Sequence, residues 1–377
     1  MLRVLLLFFI VFFGGTPAQG QSLKTLEPSD FPSLVSSVRI TASVDFCEEP
    51  VPLDNHQIRE RLEKELLLSL WNRPQVILWI KRSNRYFPHI EKMLKKNKAP
   101  DDLKYVAIIE SALRPHVGSP KGALGFWQFM KPTGKKYGLT VNNNLDQRRN
   151  LFASTSAAIR YFKELYAMLG SWTLSAAAYN MGEEGLQSEV LAQRINQYYQ
   201  LYLPLETQRF VFRIIAAKII LSDPEKYGFR LAKKDLYPPL QFDRIQLECS
   251  QKIPIHIVAE AAMASFKAIK DLNPEIRGHY ISKGSHSILI PQGSAKSFQS
   301  RYNQFFKQWL AENKHHVYIV KKGDNLSAIA DRFDVPLPLL VIWNRLNLNK
   351  PIHPGDHLMI YSSQAQPPGN SQNSQTQ

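Results

Sequence analysis

The feature that most constrains the fold is a change of hydrophobic periodicity near residue 228. Between His56 and Tyr227, apolar residues recur at the spacing of amphipathic helices, and no segment there has strong β character. After Pro238, short apolar runs typical of strands alternate with short helical patterns. This order predicts an α+β protein of several domains, with a mainly α-helical domain first and small mixed modules after it.

Apolar stripes and turn residues divide the first region into several predicted helices. Leu62, Leu66, Leu67 and Leu70 share one helical stripe, and Pro74 stands where the next helix would begin. Further helices are predicted over residues 101–111, 126–131, 150–168, 173–180, 192–203 and 207–222. The region is long enough to bury one hydrophobic core, so we predict a single helical domain over residues 56–228.

Two later blocks repeat one order of elements. Residues 241–291 and residues 316–361 each predict a strand, two helices and a closing strand. Asn273 in the first block occupies the place of Asn344 in the second, at the end of the second predicted helix. We interpret the blocks as a weak internal repeat whose first copy is the more degenerate.

The N-terminus has the composition of an export signal. Residues 1–3 are a short basic start, residues 4–13 are an unbroken apolar run, and small residues follow as far as Gly20. The run is shorter than the ~20 residues of a stable membrane span. The pattern predicts a secretory signal over residues 1–20, cleaved near Gly20, and the alternative is an uncleaved N-terminal anchor.

Two flanking segments lack the periodicity of a folded domain. Residues 21–55 carry Ser, Pro, Thr and Glu and are interpreted as an extended N-terminal arm. Residues 362–377 hold no charge and few apolar groups, which predicts a disordered tail.

The net charge of +15 is spread along the chain. Such a surface favours anionic partners, namely nucleic acid, anionic lipid or a carboxylate-bearing polymer. An exported destination argues against nucleic acid and favours a polymer of the cell envelope.

The two cysteines, Cys47 and Cys249, both lie away from the segment with catalytic character. In an oxidising compartment they could form a disulfide that ties the arm to the later domain, and the alternative is two unpaired thiols. Two cysteines alone do not make a zinc site, so no metal is expected.

Glu110 is a carboxylate on an apolar helix face. At helical spacing it shares that face with Leu103, Val106 and Ala107. Apolar surroundings disfavour the charged form and raise the pKa, which suits a general acid that protonates a glycosidic oxygen. The alternative is a buried structural glutamate paired with an arginine.

The segment after Glu110 favours the catalytic interpretation. Gly118, Gly122 and Gly125 allow the close backbone approach that a sugar ring in a cleft requires. They surround Ser119 and lead into residues 126–130. In that segment, Trp127 and Phe129 could stack on sugar faces or could instead belong to the core. Gln128 could bind an acetamido group. Downstream, Tyr179 and Asn180 precede Gly182 at a predicted helix end, where they either reach a cleft or serve as a helix C-cap.

These elements together resemble the lysozyme-like lytic transglycosylases of family one, and within it the membrane-bound D type. The resemblance covers roughly residues 56–228 and implies a goose-type lysozyme, or SLT, fold. Asn150 departs from the aspartate that relatives usually carry, although Asn caps a helix equally well. The matching residues are Glu110-Ser111, Ser119, Gly122 to Gly125, Gln128 to Met130, Tyr137 to Leu139, Ala178 to Asn180, Gly182 and Leu203 to Thr207.

The second repeat block resembles LysM, a small βααβ module that binds N-acetylglucosamine polymers. The first block looks like a decayed relative that lacks the Gly-Asp element before its first helix, so its glycan binding stays open. The resemblance implies glycan contacts in the second block at Gly323, Asp324, Asn325, Leu326, Asn344, Pro354 and Gly355.

The catalytic resemblance also implies a mechanism and a partner. Glu110 would act first as acid and then as base on the β-1,4 bond between N-acetylmuramic acid and N-acetylglucosamine in peptidoglycan, leaving a 1,6-anhydromuramoyl end without water or cofactor. Ser119, Gln128, Tyr179, Asn180 and Glu206 would contact the sugars. The alternatives are a muramidase that hydrolyses with water and a non-catalytic peptidoglycan-binding protein. Peripheral membrane association and the oligomeric state are left open.

Overall fold

The computed structural model describes residues 31–312, 316–348 and 350–360. The predicted export signal, the start of the predicted arm, Tyr361 and the predicted tail lie outside the described residues. Within the described part, no helix is both long enough and apolar enough to cross a membrane.

The first region is helical, as its periodicity predicts. A two-stranded antiparallel hairpin, β1 (Asp45–Phe46) and β2 (Glu49–Pro50), lies near its start. The helices are α1 (Leu34–Ser37), α2 (His56–Trp71), α3 (Arg73–Lys96), α4 (Lys104–Ser111), α5 (Lys131–Lys136), α6 (Leu151–Leu169), α7 (Trp172–Met181), α8 (Glu183–Gln193) and α9 (Leu205–Ser222).

Helix α9 is at the centre of this domain and packs against α2, α4 and α7. It can do so because its inward positions are apolar along most of its length, with Val211, Ile214 and Ile215 fully buried. Val106 and Ala107 of α4 are equally buried, so the short helix that carries Glu110 is held by the core on its apolar face. Burial of that face, rather than the intrinsic propensity of eight residues, therefore stabilises α4.

Two predicted helices are wrong. Residues 126–129 form turns rather than a helix, because Gly125 and Gln128 both have positive φ angles, and α5 begins only at Lys131, ahead of Pro132. The helix predicted over residues 192–203 is also absent. Helix α8 ends at Gln193 because Arg194 adopts the left-handed conformation.

The predicted arm is not simply extended. Its described part contains α1 and the β1–β2 hairpin, and Phe46 is completely buried in the core of the helical domain. The Glu49 carboxylate caps helix α7, where it accepts hydrogen bonds from the backbone N–H groups of Trp172 and Thr173 and from the hydroxyls of Ser171 (2.9 Å) and Thr173 (2.8 Å). A carboxylate is favoured there by unpaired N–H groups and by the helix dipole.

Glu49→Ala is expected to lower the free energy of unfolding by about 2 kcal/mol, because it leaves the first N–H groups of α7 without an acceptor. Denaturant unfolding of the variant measures the loss. Glu48→Ala, at the exposed neighbouring position, is the matched control and should change stability little. Equal losses in the two variants would show that the cap does not hold the arm.

The later region contains two modules of the same order, as the repeat predicts. The first has β3 (Asp243–Cys249), β4 (Ile253–Pro254), α10 (Ile255–Ala261), α11 (Phe266–Leu272), β5 (Tyr280–Ile281) and β6 (Gly284–Ile290). The second has β7 (His316–Ile319), α13 (Leu326–Arg332), α14 (Leu337–Asn344) and β8 (His357–Ile360). In each module the outer strands pair antiparallel, β3 with β6 and β7 with β8.

Between the modules lies a helix that was not predicted, α12 (Phe298–Glu312), although its aromatic residues recur at helical spacing. It packs on α10, and its aromatic rings stack on one another along the helix. Phe298, Tyr302 and Trp309 are buried in the core of the first module. The first module is therefore larger than its strand-helix-helix-strand pattern.

The suggested disulfide is not formed. Cys47 and Cys249 are free thiols, each buried in a different hydrophobic core, one in the helical domain and one in the first module. Because burial disfavours the thiolate, it raises the pKa of Cys249 to about 11 and that of Cys47 still further. The second alternative, two unpaired thiols, describes the structure.

Candidate active site

Glu110 lies in the last turn of α4, at an abrupt helix end. Ala112 and Leu113 both have positive φ angles, 51° and 57°, which are costly for residues with a side chain and end the helix. The Ser111 hydroxyl donates a hydrogen bond to the Phe126 carbonyl (2.8 Å) and so ties the helix end to the loop beyond it. The backbone strain and this tie hold Glu110 in place beside that loop.

The carboxyl group of Glu110 is set up to be protonated at neutral pH. Burial raises its pKa from the ordinary value of 4.5 to about 8. The positive charge of Arg213 opposes this effect, and the negative charge of Glu206 adds to it. Desolvation of the carboxyl group is therefore the main cause of the raised pKa.

Ser119 and Gln128 belong to one tight loop, residues 117–129. The Ser119 hydroxyl accepts a hydrogen bond from the Ala123 amide (3.1 Å). The Gln128 side chain donates from Nε2 to the carbonyl oxygens of Val117 (2.7 Å) and Gly125 (2.9 Å). The Gln128 amide nitrogen therefore shapes the loop.

Trp127 and Phe129 are core residues. They are 1% and 2% exposed, and the Trp127 indole donates to the hydroxyl of Thr155 (2.9 Å). Neither ring offers a face to a ligand, so the suggestion that they stack on sugars is wrong. The turn that replaces the predicted helix directs both rings inward.

A buried ion pair supports the loop from below. Arg148 and Asp146 form a bidentate pair, with 2.9 Å between Nε and Oδ1 and 2.8 Å between the second nitrogen and Oδ2. Arg148 also donates to the carbonyl oxygens of Gly122 (2.9 Å), in the middle of the loop, and Phe129 (3.1 Å), at its end. This support was not predicted, because a bidentate pair two residues apart in a turn leaves no periodic signal.

Tyr179 and Asn180 end helix α7 close to Glu110. The Tyr179 hydroxyl donates to the Trp127 carbonyl (2.7 Å), and its ring stacks on Phe162. The Glu110 charge is among the causes that raise the pKa of Tyr179 well above its ordinary value, after burial, which is the larger cause. The Asn180 side-chain oxygen accepts a hydrogen bond from the Thr207 hydroxyl (2.9 Å).

Tyr179→Phe is expected to lower the rate of product release from purified cell-wall sacculi about tenfold. The variant keeps the stacking on Phe162 but loses an oxygen that, while donating to Trp127, can still accept a hydrogen bond from a substrate amide. Tyr166→Phe, on the more exposed face of α6, is the control. An unchanged rate in Tyr179→Phe would assign its hydroxyl to structure alone.

Glu206 lies in the first turn of α9 with its side chain largely exposed. It pairs with Arg213 on the same helix (3.0 Å), and Arg213 borders a cleft of about 360 Å³ together with Ile109, the neighbour of Glu110. Arg213 was missed in the sequence, although its position two turns after Glu206 on one helix was a usable signal.

Six other carboxylates of the helical domain are candidate partners for Glu110, and five of them are paired with cations. The remaining candidate, Glu184, is exposed at the start of α8. The pairs are Asp101 with Lys104 (2.6 Å), Asp102 with Lys218 (2.7 Å), Asp146 with Arg148 (2.8 Å), Glu183 with Lys136 (3.0 Å) and Glu206 with Arg213 (3.0 Å).

In the second module, most predicted glycan-binding residues shape loops. The Asp324 carboxylate accepts from the Tyr318 hydroxyl (2.6 Å) and the Lys321 amide (2.8 Å), and Asn325 caps α13. Asn344 bonds both polar groups of the Met359 backbone, at 2.9 and 2.7 Å. The rest are Gly323 and Gly355, both with positive φ, Leu326, which packs on the module core, and Pro354, which is exposed.

Within the described residues, no group of three or more His, Cys, Asp or Glu side chains is placed to hold a metal ion. The Arg213 guanidinium, the Glu206 carboxylate and the Tyr179 hydroxyl are close enough to Glu110 to interact with it electrostatically.

Three family models match the chain. A transglycosylase SLT domain matches residues 87–201, the LysM-like domain of lytic transglycosylase MltD matches residues 241–306, and a LysM domain matches residues 318–360. The match over residues 241–306 includes part of α12, in agreement with the packing of that helix on the first module.

Individual proteins also resemble the chain. The membrane-bound lytic murein transglycosylase D of Escherichia coli K12 is 31% identical over 321 residues, which cover 81% of this chain and 69% of that protein. A putative tributyltin chloride resistance protein of an Alteromonas strain is 30% identical over 110 residues, or 28% of this chain and 53% of its own. Among solved structures, the 70 kDa soluble lytic transglycosylase of Escherichia coli matches 39% of this chain and 26% of its own, with 21% identity and a TM-score of 0.31.

Proposed function

Since the chain belongs to the family of membrane-bound lytic murein transglycosylase D and is a lytic transglycosylase, we propose that it cuts the β-1,4 bond between N-acetylmuramic acid and N-acetylglucosamine in peptidoglycan. The product is a 1,6-anhydromuramoyl end, formed without water. Glu110 serves as the acid and then as the base.

One observation carries this proposal. The Glu110 carboxyl has a pKa of about 8 because it is desolvated, so at neutral pH it holds the proton that a leaving sugar oxygen needs. A carboxyl with its ordinary pKa would be ionised at that pH and could not donate.

The reaction needs only one carboxyl group from the enzyme if the substrate supplies the stabilising acetamido oxygen and the attacking C6 hydroxyl. Glu110 gives its proton to the glycosidic oxygen as the bond from that oxygen to the muramoyl C1 breaks. The substrate's own acetamido oxygen stabilises the cationic C1. The C6 hydroxyl oxygen then bonds to C1 and releases its proton to Glu110, which returns the enzyme to its starting state.

The pairing of five of the six candidate carboxylates with cations supports this route over the two-carboxylate mechanisms. Retaining and inverting glycosidases require a second free carboxylate across the bond. Asp101, Asp102, Asp146, Glu183 and Glu206 are each paired with a lysine or arginine.

The sugar contacts are proposed from position. Tyr179 and Asn180 end a helix close to Glu110, Ser119 and Gln128 belong to the adjoining loop, and Glu206 borders the same region through Arg213. The second module would bind the same polymer through its loops around Gly323 to Leu326 and around Asn344, Pro354 and Gly355. A weak module gains from attachment to the enzyme through effective concentration.

The proposed place of action is the cell envelope, with export by the signal that the first 20 residues suggest. The net charge of +15 suits a wall polymer that bears peptide carboxylates.

Mass spectrometry of the fragments released from purified sacculi tests the proposal. Anhydromuramoyl ends, one water lighter than hydrolysed ends, are expected. Fragments with reducing ends only would assign the protein as a hydrolytic muramidase, and no release at all would assign it as a peptidoglycan-binding protein without catalysis.

A further inference from the structure

The two modules are built around the same asparagine. In the first module, Asn273 donates to the Leu289 carbonyl (2.7 Å) and accepts from the Leu289 amide (2.8 Å). In the second, Asn344 makes the same two bonds to Met359, at 2.9 and 2.7 Å. The loop that follows Asn273 is therefore equivalent to the loop that follows Asn344, where glycan contacts are proposed.

In the first module this loop is occupied by the helical domain. The Glu275 carbonyl accepts from the Asp146 amide (2.8 Å), and the Arg277 amide donates to the Asn144 carbonyl (2.8 Å). Between these bonds, Leu145 and Ile276 form an antiparallel bridge, and Leu145 packs against the core of the module. In the first module this edge is thus paired with the helical domain through backbone groups. The equivalent loop of the second module reaches that domain through the Arg345 side chain, which donates to Asn144, and leaves Pro354 and Gly355 exposed.

The Glu275 side chain extends the same contact. It is 4% exposed, and its Oε1 accepts a hydrogen bond from the Asn150 side chain (2.7 Å), while the other oxygen has no hydrogen-bond partner. Asn150 at the same time caps helix α6 by accepting from the Ala153 amide (2.8 Å). Both hydrogen-bonding ends of the Asn150 side chain are in use, one within its own domain and one across the contact.

The docked segment is also the one that supports the loop beside Glu110. The Asp146 amide donates to the Glu275 carbonyl, and the Asp146 carboxylate pairs with Arg148. Arg148 in turn donates to the carbonyls of Gly122 and Phe129. A continuous set of hydrogen bonds therefore joins the first module to loop 117–129.

We infer that the first LysM-like module has given up glycan binding at this edge and positions the sugar-contacting loop of the catalytic domain, with Glu275 as a positioning residue. This inference rests on the proposed function, because it takes loop 117–129 to contact the substrate. Anchoring on the polymer is left to the second module.

The test uses the full-length protein with three changes. Glu275→Ala removes the bond to Asn150, Glu275→Gln keeps an oxygen acceptor, and Leu145→Asp places a charge in the apolar docking contact. Glu248→Ala, which removes an exposed carboxylate on β3 of the same module, is the matched control. Measured quantities are kcat and KM for anhydro-product release, pelleting with sacculi, and hydrogen exchange of the Leu124 and Gly125 amides.

Glu275→Ala and Leu145→Asp are expected to lower kcat about tenfold or more, since small misplacement of substrate-positioning groups is costly. Pelleting with sacculi should not change, exchange at Leu124 and Gly125 should rise, and Glu275→Gln should recover most of the rate. A merely structural role would not produce this separation of kcat from binding.

Wild-type kcat and wild-type exchange in both disrupted variants would overturn the inference. So would reduced pelleting at unchanged kcat, because the module would then be a glycan anchor. If the parent protein forms no anhydro product, the proposed function fails, and exchange of the loop amides still decides whether the module positions the loop.

Discussion

Glu110→Gln is expected to lower the rate of anhydro-product formation by roughly 10²- to 10⁴-fold, the usual contribution of a general acid-base group. The amide keeps the size of the side chain but has no acidic proton to give to the leaving oxygen and cannot take one from the C6 hydroxyl. Mass spectrometry of released fragments measures the loss. Activity that survives the change would remove Glu110 from its proposed role, and Glu248→Gln in the first module is the control.

The pH dependence of the parent enzyme should follow from the same group. The first step needs the protonated carboxyl, whose pKa is about 8. The rate should therefore fall as the pH rises through about 8, and Glu110→Gln should not show that limb. A rate that falls already near pH 5 would indicate an ordinary carboxyl.

The same substitution should make the protein more stable in alkaline solution. The folded-state pKa of about 8 lies above the ordinary value of 4.5, so between these pH values the folded protein binds a proton that the unfolded chain releases. Stability is therefore lost as the pH rises through this window. Glutamine avoids the loss, and we expect a gain of about 1 kcal/mol or more at pH 9 and little gain at pH 4. Thermal unfolding at the two pH values measures it.

Gly125→Ala should be among the most destabilising changes in the chain. A β-carbon at this position would lie 1.9 Å from the Arg148 carbonyl oxygen and 2.6 Å from its carbon, and the φ angle of +85° is itself unfavourable for alanine. The loop must move away from Arg148, which should cost ~3 kcal/mol or more and also lower activity, because the loop adjoins Glu110.

Gly122→Ala, in the same loop, separates the cost of the steric clash from the cost of the positive φ angle. Its φ angle is +92°, but a β-carbon there would meet no atom within 4 Å. Only the backbone cost of about 1–2 kcal/mol is then expected. Denaturant unfolding of both variants gives the comparison. Equal losses would mean that the close approach to Arg148 does not hold the loop.

The predictable parts of the fold are those set by the local spacing of apolar residues along the sequence. The helical stripe around Leu62 and the alternation in β3 report which side of an element is buried, and this pattern is present before the chain folds. The prediction failed at Gln128, because a single left-handed residue turns a helical pattern into a loop without changing its hydrophobicity. It also missed α12, although Phe298, Tyr302 and Trp309 recur there at helical spacing, because the helix lies outside the two repeated blocks.

The sequence by itself determined the helical domain, the two modules, and the identity of Glu110 as an acid on an apolar face, since each of these depends on local spacing. Only the tertiary structure decided which polar groups distant in the sequence meet one another. The cap from Glu49 to Thr173 spans 124 residues, and the bond from Asn150 to Glu275 spans 125. Such contacts depend on how distant elements pack, and hydrophobic periodicity carries no information about which polar group a buried carboxylate will meet.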